Sequence, residues 1–128
     1  MVFIDKETND LSYKIIGCAY NVHKELGPGL LESAYETCLC YELSKIEINY
    51  EKQKGLPIIY KDVTLDCGYR IDILVENKIV IKLKTVEKLL PIHTAQIMTY
   101  LKLSNKHLGL LFNFYNANLQ NGIKRYVL

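Results

Sequence analysis

Three charged residues on two neighbouring predicted strands, Asp72, Lys82 and Lys84, have the types and spacing to do chemistry. A carboxylate is the kind of ligand that hard divalent cations prefer, and lysine ammonium groups contact phosphates. The intervening sequence predicts an alternating strand, a short polar turn over 76–78 and a second alternating strand. The three residues therefore indicate a cation or phosphate site on a strand pair.

The pairing of these strands decides whether the three charges share a face. Side chains alternate along a strand, so Lys82 and Lys84 lie on one face of theirs. Asp72 joins that face only if the antiparallel pairing opposes residues whose numbers sum to an even value, such as 72 with 82. That pairing leaves an odd turn, which we expect to have three residues over 76–78. The alternative is a solvated edge that carries charges without a site.

Two predicted helices carry polar residues that would complete such a site. Glu32 and Tyr35 are three residues apart near the start of the second helix, where an acid also favours the helix dipole without any further role. His93, Gln96 and Tyr100 form a polar row on the third helix, although a single His or Gln there is more often a surface residue. Spacing alone does not name a reaction for these residues.

The elements that hold these residues follow from the periodicity of the chain. Apolar residues at spacings of three and four predict a helix over 11–26, and Gly27-Pro28-Gly29 ends it. A second helix over 30–44 completes a helical hairpin, and Pro91 opens a third helix over 92–103. Strands are predicted over 48–53, 57–60, 69–75, 79–83, 107–114 and 123–127. Helices on a mixed sheet would form a single α/β domain over residues 1–128.

Composition bounds the class of protein. The chain has 128 residues, is 49% hydrophobic and carries a formal net charge of +2, which neither demands nor excludes a polyanionic partner. It contains no apolar run of about 18 residues and no signal-like leader, so we expect a cytoplasmic protein with no membrane partner. The four cysteines, Cys18, Cys38, Cys40 and Cys67, form no C-x-x-C pair, which favours buried free thiols over a zinc site.

Several motifs together resemble those of the bacterial GxxExxY family. They are Gly29-x-x-Glu32-x-x-Tyr35, the stretch from Leu65 to Asp72, Lys84-x-Val86-Glu87-Lys88-Leu89, Gln96-x-x-x-Tyr100-Leu101 and the ending Gly122-Ile-Lys-Arg125. The likeness covers about residues 11–128. That family is placed in the PD-(D/E)xK nuclease superfamily, so the resemblance implies a restriction-endonuclease-like α/β fold, with a four-stranded mixed sheet core flanked by helices.

The resemblance also implies roles for individual residues. Asp72 resembles the strand acid that, with a helical acid such as Glu32, holds Mg²⁺ or Mn²⁺ in the superfamily. Lys84 resembles the motif lysine that assists the attacking water. Gln96 and Tyr100 resemble the Q-x-x-x-Y pair of recombination-type nucleases. The implied activity is metal-dependent phosphodiester hydrolysis of DNA or RNA.

Lys82 departs from the superfamily pattern. It occupies the position of the second metal-binding acid, and lysine offers a cation no oxygen. We therefore expect a nuclease-like protein whose metal site at Glu32 and Asp72 is weak or lost, unless Glu76 or Glu87 lends a carboxylate.

Two other functions stay open at this level. The first is a non-catalytic module of the same fold that binds nucleic acid or a protein partner. Its phosphate contacts would come from Lys82, Lys84, Lys102 and Lys106. The second is a purely structural scaffold.

Overall fold

The computed structural model describes residues 3–128, which form helices on both faces of a mixed sheet. The elements in chain order are α1 Lys6–Leu26, α2 Glu32–Lys45, β1 Tyr50–Gly55, β2 Ile58–Tyr60, β3 Val63–Leu65, β4 Arg70–Val75, β5 Ile79–Lys84, α3 Pro91–Ser104, β6 Leu108–Asn113 and β7 Ile123–Val127, with a short 3₁₀ turn at Leu119–Gly122 before β7. The predicted mixed α/β fold with an N-terminal helical hairpin is confirmed.

Helix α1 begins five residues earlier than the apolar pattern predicts. Asp5 caps it by accepting a hydrogen bond from the Thr8 N–H at 2.7 Å, and its early residues are mostly polar, so apolar spacing could not mark this start. Gly27 ends the helix with φ 66°, a left-handed value that favours glycine. The predicted stripe is buried at its centre, at Ile15 for example, whereas Leu26 lies exposed at the helix end.

The main sheet has five strands in the order β1-β4-β5-β6-β7, one more than the four that the resemblance implied. Strands β5 and β6 are parallel, with α3 as the connection between them, and the other pairs are antiparallel. Ile73 pairs with Ile81 and Val75 with Ile79, so the even-sum pairing and the three-residue turn over 76–78 are confirmed. Glu76 takes a left-handed backbone conformation in that turn.

Strands β2 and β3 form a separate two-stranded hairpin that connects β1 to β4. The sequence predicted β2, but β3 was missed because three residues are too few for a periodic signal. Ile59 and Tyr60 are 63% and 60% exposed, so this hairpin stands outside the main core.

The sheet separates two apolar clusters. Ile79, Ile81 and Leu83 of β5 belong to a large cluster with residues of α1 and α2. Val80, on the opposite face of the same strand, belongs to a smaller cluster with Leu101 of α3. The helical hairpin therefore covers one face of the sheet and α3 covers the other.

The cysteines are all free thiols, as expected, but they are not all buried. Cys18 and Cys40 are buried, Cys38 is half-buried and Cys67 is exposed in the loop before β4, so the prediction of burial was wrong for Cys67. Within residues 3–128, no helix has the length and apolar character needed to cross a membrane.

Candidate functional site

Asp72 is held where the ladder between β4 and β5 ends. The last paired residues on this side are Ile73 and Ile81, and beyond them the Asp72 side chain takes the place of a backbone partner. Its Oδ2 accepts a hydrogen bond from the Leu83 N–H at 2.8 Å, and its Oδ1 lies 3.5 Å from the Lys82 Nζ. The side chains of Asp72 and Lys82 are each 15% exposed. The lysine at the unusual motif position therefore forms a largely buried ion pair with the strand acid.

The ladder on the other side of β4 is also interrupted at Asp72. Lys52 and Lys54 of β1 pair with Ile73 and Ile71, but Gln53 between them has φ 52° and leaves the position opposite Asp72 unpaired. Such a left-handed residue distorts a strand and redirects its side chain. The backbone pairing of β4 is therefore interrupted at Asp72 on both sides, toward β1 and toward β5.

Helix α2 brings two acids to the cleft at this interruption, which we call the acidic cleft. It has a volume of about 340 Å³ and is lined by Glu32, Ser33, Glu36, Gln53, Asp72 and Leu83. Glu32 and Asp72 therefore share one cleft. Glu36 was missed by the sequence analysis, although it follows Glu32 by one helical turn, and that spacing was the available signal. Its carboxylate is nearly buried and accepts a hydrogen bond from Gln53 Nε2 at 2.5 Å.

Gln96 and Tyr100 line a different recess, on the α3 face, which we call the α3 cleft. It has a volume of about 280 Å³ and is lined by Ile58, Tyr69, Ile92, Ala95, Gln96, Thr99, Tyr100 and Leu103. His93, the third member of the predicted polar row, accepts a hydrogen bond from the Leu90 N–H at 2.9 Å and so helps to begin the helix. The candidate residues are therefore divided between two clefts.

Lys82 connects these two clefts. Its ammonium nitrogen lies 3.5 Å from Asp72 Oδ1 and 5.6 Å from the centre of the Tyr100 ring, a distance at which a cation is attracted to the ring face. Lys84 is half-buried two residues further along the same strand face, and it forms no ion pair within the described part of the chain. Lys82 and Lys84 therefore follow one another on one face of β5.

The other lysines proposed for phosphate contact do not all join this group. Lys102 is exposed on α3. Lys106 lines a separate pocket with Asn77 and Lys78, next to the β4–β5 turn. Because β6 is parallel to β5 and starts beside Ile79, Lys106 lies at the opposite end of the strand from Lys82. Lys106 therefore lies apart from Lys82, and its contact with a phosphate stays a prediction.

The acids do not offer a cation an open set of oxygens. Asp72 uses one oxygen for the Leu83 N–H and the other faces Lys82, and Glu36 Oε1 is bonded to Gln53. Among residues 3–128, no group of three Asp, Glu, His or Cys side chains is placed to hold a metal ion. The residues in this arrangement do not fit a divalent cation, which takes about six oxygen ligands.

The two acids suggested as substitutes for the missing one have different outcomes. Glu76 Oε1 accepts a hydrogen bond from the Asn49 N–H at 2.6 Å, in the turn at the far end of β4 from Asp72. Its suggested role as a substitute ligand was therefore wrong. Glu87 is exposed just after β5, and its suggested role as a substitute ligand stays a prediction.

Comparison with known families extends over nearly the whole chain. The family model described as the PD-(D/E)XK nuclease superfamily matches residues 9–126. The mixed sheet flanked by helices agrees with the restriction-endonuclease-like fold that was expected. Searches of curated proteins and of solved structures gave no significant match.

Proposed function

Because the chain belongs to the PD-(D/E)XK nuclease superfamily, we propose that it is a nuclease-like domain that binds nucleic acid and has an impaired capacity for phosphodiester hydrolysis. The superfamily generally depends on divalent metal ions. Within it, we assign the chain to the GxxExxY family on its Gly29, Glu32 and Tyr35 motif and on Asp72. The single observation that carries the proposal is the 3.5 Å contact between the Lys82 ammonium and Asp72.

The charge balance of the site explains the impairment. Glu32, Asp72, Lys82 and Lys84 are the four charged residues of the proposed site, and they sum to a formal charge of zero. An acid at position 82 would make the same sum −2, which one divalent cation neutralises. Exchanging a negative for a positive charge about 5 Å from a divalent ion disfavours that ion by on the order of 10 kcal/mol at an effective dielectric of about 20. That figure is an upper bound, since the lysine side chain can swing away.

Lys82 takes over the electrostatic role that a cation has beside a strand acid. Its ammonium compensates the Asp72 carboxylate, and the Tyr100 ring faces the same ammonium from the α3 side. The Leu83 N–H holds the other Asp72 oxygen, so the carboxylate keeps its orientation without a metal. Lys84 has no acidic partner within residues 3–128 and is free to contact a phosphate.

The proposal is tested by restoring the missing acid. Mn²⁺ is titrated calorimetrically into the native protein, into Lys82→Glu and into Lys82→Met. The Met variant removes the positive charge and keeps a side chain of similar length, but it supplies no ligand oxygen. We expect binding in the millimolar range or tighter only for Lys82→Glu, together with Mn²⁺-dependent cleavage of labelled DNA or RNA.

Two results would contradict this part of the proposal. Binding of Mn²⁺ by the native protein, lost in Asp72→Asn, would mean that another carboxylate completes the site and that the native chain is an ordinary metal-dependent enzyme. A Lys82→Glu variant that folds but neither binds Mn²⁺ nor cuts would mean that these residues do not form the site of the superfamily.

Nucleic-acid binding is tested separately, with EDTA present. We expect native protein to bind labelled DNA or RNA with an affinity that falls steeply as salt is raised, because phosphate contacts release counterions. Lys84→Ala should weaken binding and lower the salt slope by about one unit. Absence of binding to every nucleic acid at low salt would instead favour the alternative, a module that binds a protein partner.

A further inference from the structure

The α3 cleft combines an apolar wall with two aromatic rings. Tyr69 and Tyr100 meet edge to face, with ring centroids 6.3 Å apart and planes inclined by 71°. Tyr69 is 48% exposed and Ile92 is 57% exposed, so a ligand can reach the rim of the cleft. Aromatic rings prefer to contact other flat rings by stacking or by their edges. The shape and surface of this cleft therefore suit a flat aromatic group.

One polar side chain in this apolar cleft lacks a partner. Gln96 lines the cleft, and its Oε1 is buried without a hydrogen bond among residues 3–128. Buried polar atoms in native proteins nearly always have a partner, so this oxygen has room for a hydrogen bond from a water or from a ligand group that displaces it. A glutamine amide presents an acceptor or a donor according to its rotation, and the edges of nucleobases carry both kinds of group.

The charges near the cleft indicate which kind of molecule would carry the flat aromatic group that enters it. The Lys82 ammonium is 5.6 Å from the centre of the Tyr100 ring, and Lys84 follows on the same strand face. Helix α3 contains Lys102 and no Asp or Glu. Aromatic surfaces beside cationic groups are the combination that proteins use for single strands, in which bases stack on rings while phosphates meet lysines.

We propose that the α3 cleft receives an unpaired base of single-stranded nucleic acid. The base lies against the Tyr69 and Tyr100 rings and bonds to Gln96, while a neighbouring phosphate lies against Lys84. A base in a duplex is stacked and paired, so it enters only after it is extruded. The inference rests on the proposed nucleic-acid binding and adds that bases are contacted as well as phosphates.

Fluorescence anisotropy in EDTA compares a labelled mixed-sequence single strand, its duplex and an abasic strand of equal length. We expect native protein to bind the single strand about tenfold more tightly than either of the others. Tyr69→Ala should lose about tenfold in affinity for the single strand and leave the abasic strand unchanged. Tyr13→Ala is the matched control, because this α1 tyrosine is also exposed, at 63%, and we expect it to change neither affinity.

Gln96→Leu tests the hydrogen bond in the cleft without removing bulk. We expect native protein to discriminate among homopolymer strands and Gln96→Leu to bind them with affinities that lie closer together. Equal native affinities for single strand, duplex and abasic strand, unchanged in Tyr69→Ala, would overturn the base site while phosphate binding, and so the proposed function, remained. Failure to bind any strand at low salt would overturn the proposed function and the base site with it.

Discussion

Tyr35 stacks face to face on Phe114, with ring centroids 4.4 Å apart and planes inclined by only 4°. Both rings are fully buried. The Tyr35 hydroxyl donates a hydrogen bond to the Gly27 carbonyl at 2.6 Å and accepts one from the Leu30 N–H at 3.1 Å. Tyr35, the last residue of the Gly29-x-x-Glu32-x-x-Tyr35 motif, therefore holds the turn between α1 and α2 closed. Through that turn it positions the start of α2, where Glu32 lies.

Tyr35→Phe should destabilise the protein by about 1–3 kcal/mol, because the stacked ring is kept while the carbonyl and N–H of the turn lose their partner. Urea unfolding of the native protein and the variant measures the difference. Tyr13→Phe removes a hydroxyl from an exposed tyrosine and should stay within about 0.5 kcal/mol of native. Equal unfolding midpoints for Tyr35→Phe and native protein would show that this hydroxyl does not stabilise the turn.

The ion pair between Asp72 and Lys82 should show energetic coupling. Asp72→Ala leaves the Leu83 N–H and the largely buried ammonium without a partner, and we expect a loss of about 2–4 kcal/mol. Lys82→Met should cost less, because a side chain of similar length still covers the Tyr100 ring. A double-mutant cycle from denaturant unfolding should give a coupling of about 1 kcal/mol or more, whereas strictly additive effects would mean that the contact is not energetically significant.

Two glycines should respond in opposite directions to alanine. A Cβ at Gly122 would lie 2.5 Å from the Asn113 carbonyl oxygen, so the backbone would have to move, and Gly122→Ala should cost about 2 kcal/mol or more. A Cβ at Gly17, within α1, meets nothing within 4 Å, so Gly17→Ala should stabilise the protein by about 0.5–1 kcal/mol through helix propensity. Thermal unfolding of both variants should show shifts of opposite sign, and shifts of the same sign would contradict this packing.

The cysteines should differ in reactivity and in their effect on alkaline stability. Burial is the largest cause that raises the pKa of the Cys40 thiol to about 11, and burial also raises the pKa of Cys18. Cys67 is exposed, so a disulfide reagent at pH 8 should label it first, and Cys67→Ser should remove that rapid phase. Labelling of Cys40 at the rate seen for Cys67 would contradict its burial.

The sign of the alkaline effect follows from the raised pKa. The unfolded chain releases the Cys40 proton near the ordinary pKa of 9.0, before the folded protein does, so the stability that this thiol contributes is full below pH 9 and is lost as the pH rises to about 11. Cys40→Ala should show a shallower loss of stability over that interval in urea unfolding. An identical slope in both proteins would mean that Cys40 does not take part.

The sequence predicted the strand pair correctly because two strong periodic signals enclosed a short polar turn. Alternation fixed which residues share a face, and the parity of the turn then required 72 to lie opposite 82, which agrees with the pairing of Ile73 with Ile81. The same reasoning failed at Gln53, because its left-handed conformation lies inside a predicted strand and has no local sequence marker. That distortion directs Gln53 to Glu36, so both members of this contact were missed.

The sequence also could not predict that the candidate residues are divided between two clefts. Helical spacing placed Gln96 and Tyr100 on one face of α3, and that agrees with their shared cleft. Spacing within a helix, however, does not show which face of the sheet the helix covers. The parallel step from β5 through α3 to β6 decides this, and it puts α3 on the face opposite α1 and α2.

Strand β5 lies at the centre of the main sheet, between antiparallel β4 and parallel β6, and Lys82 pairs through its backbone with Leu111. The backbone at position 82 is therefore held by β6, whatever side chain it carries, whereas the ladder with β4 has already ended at Ile81. Selection could exchange that side chain and so gain or lose chemistry without having to rebuild the architecture around it. One substitution at this position thus changes the charge beside Asp72 without changing the strand pairing with β6.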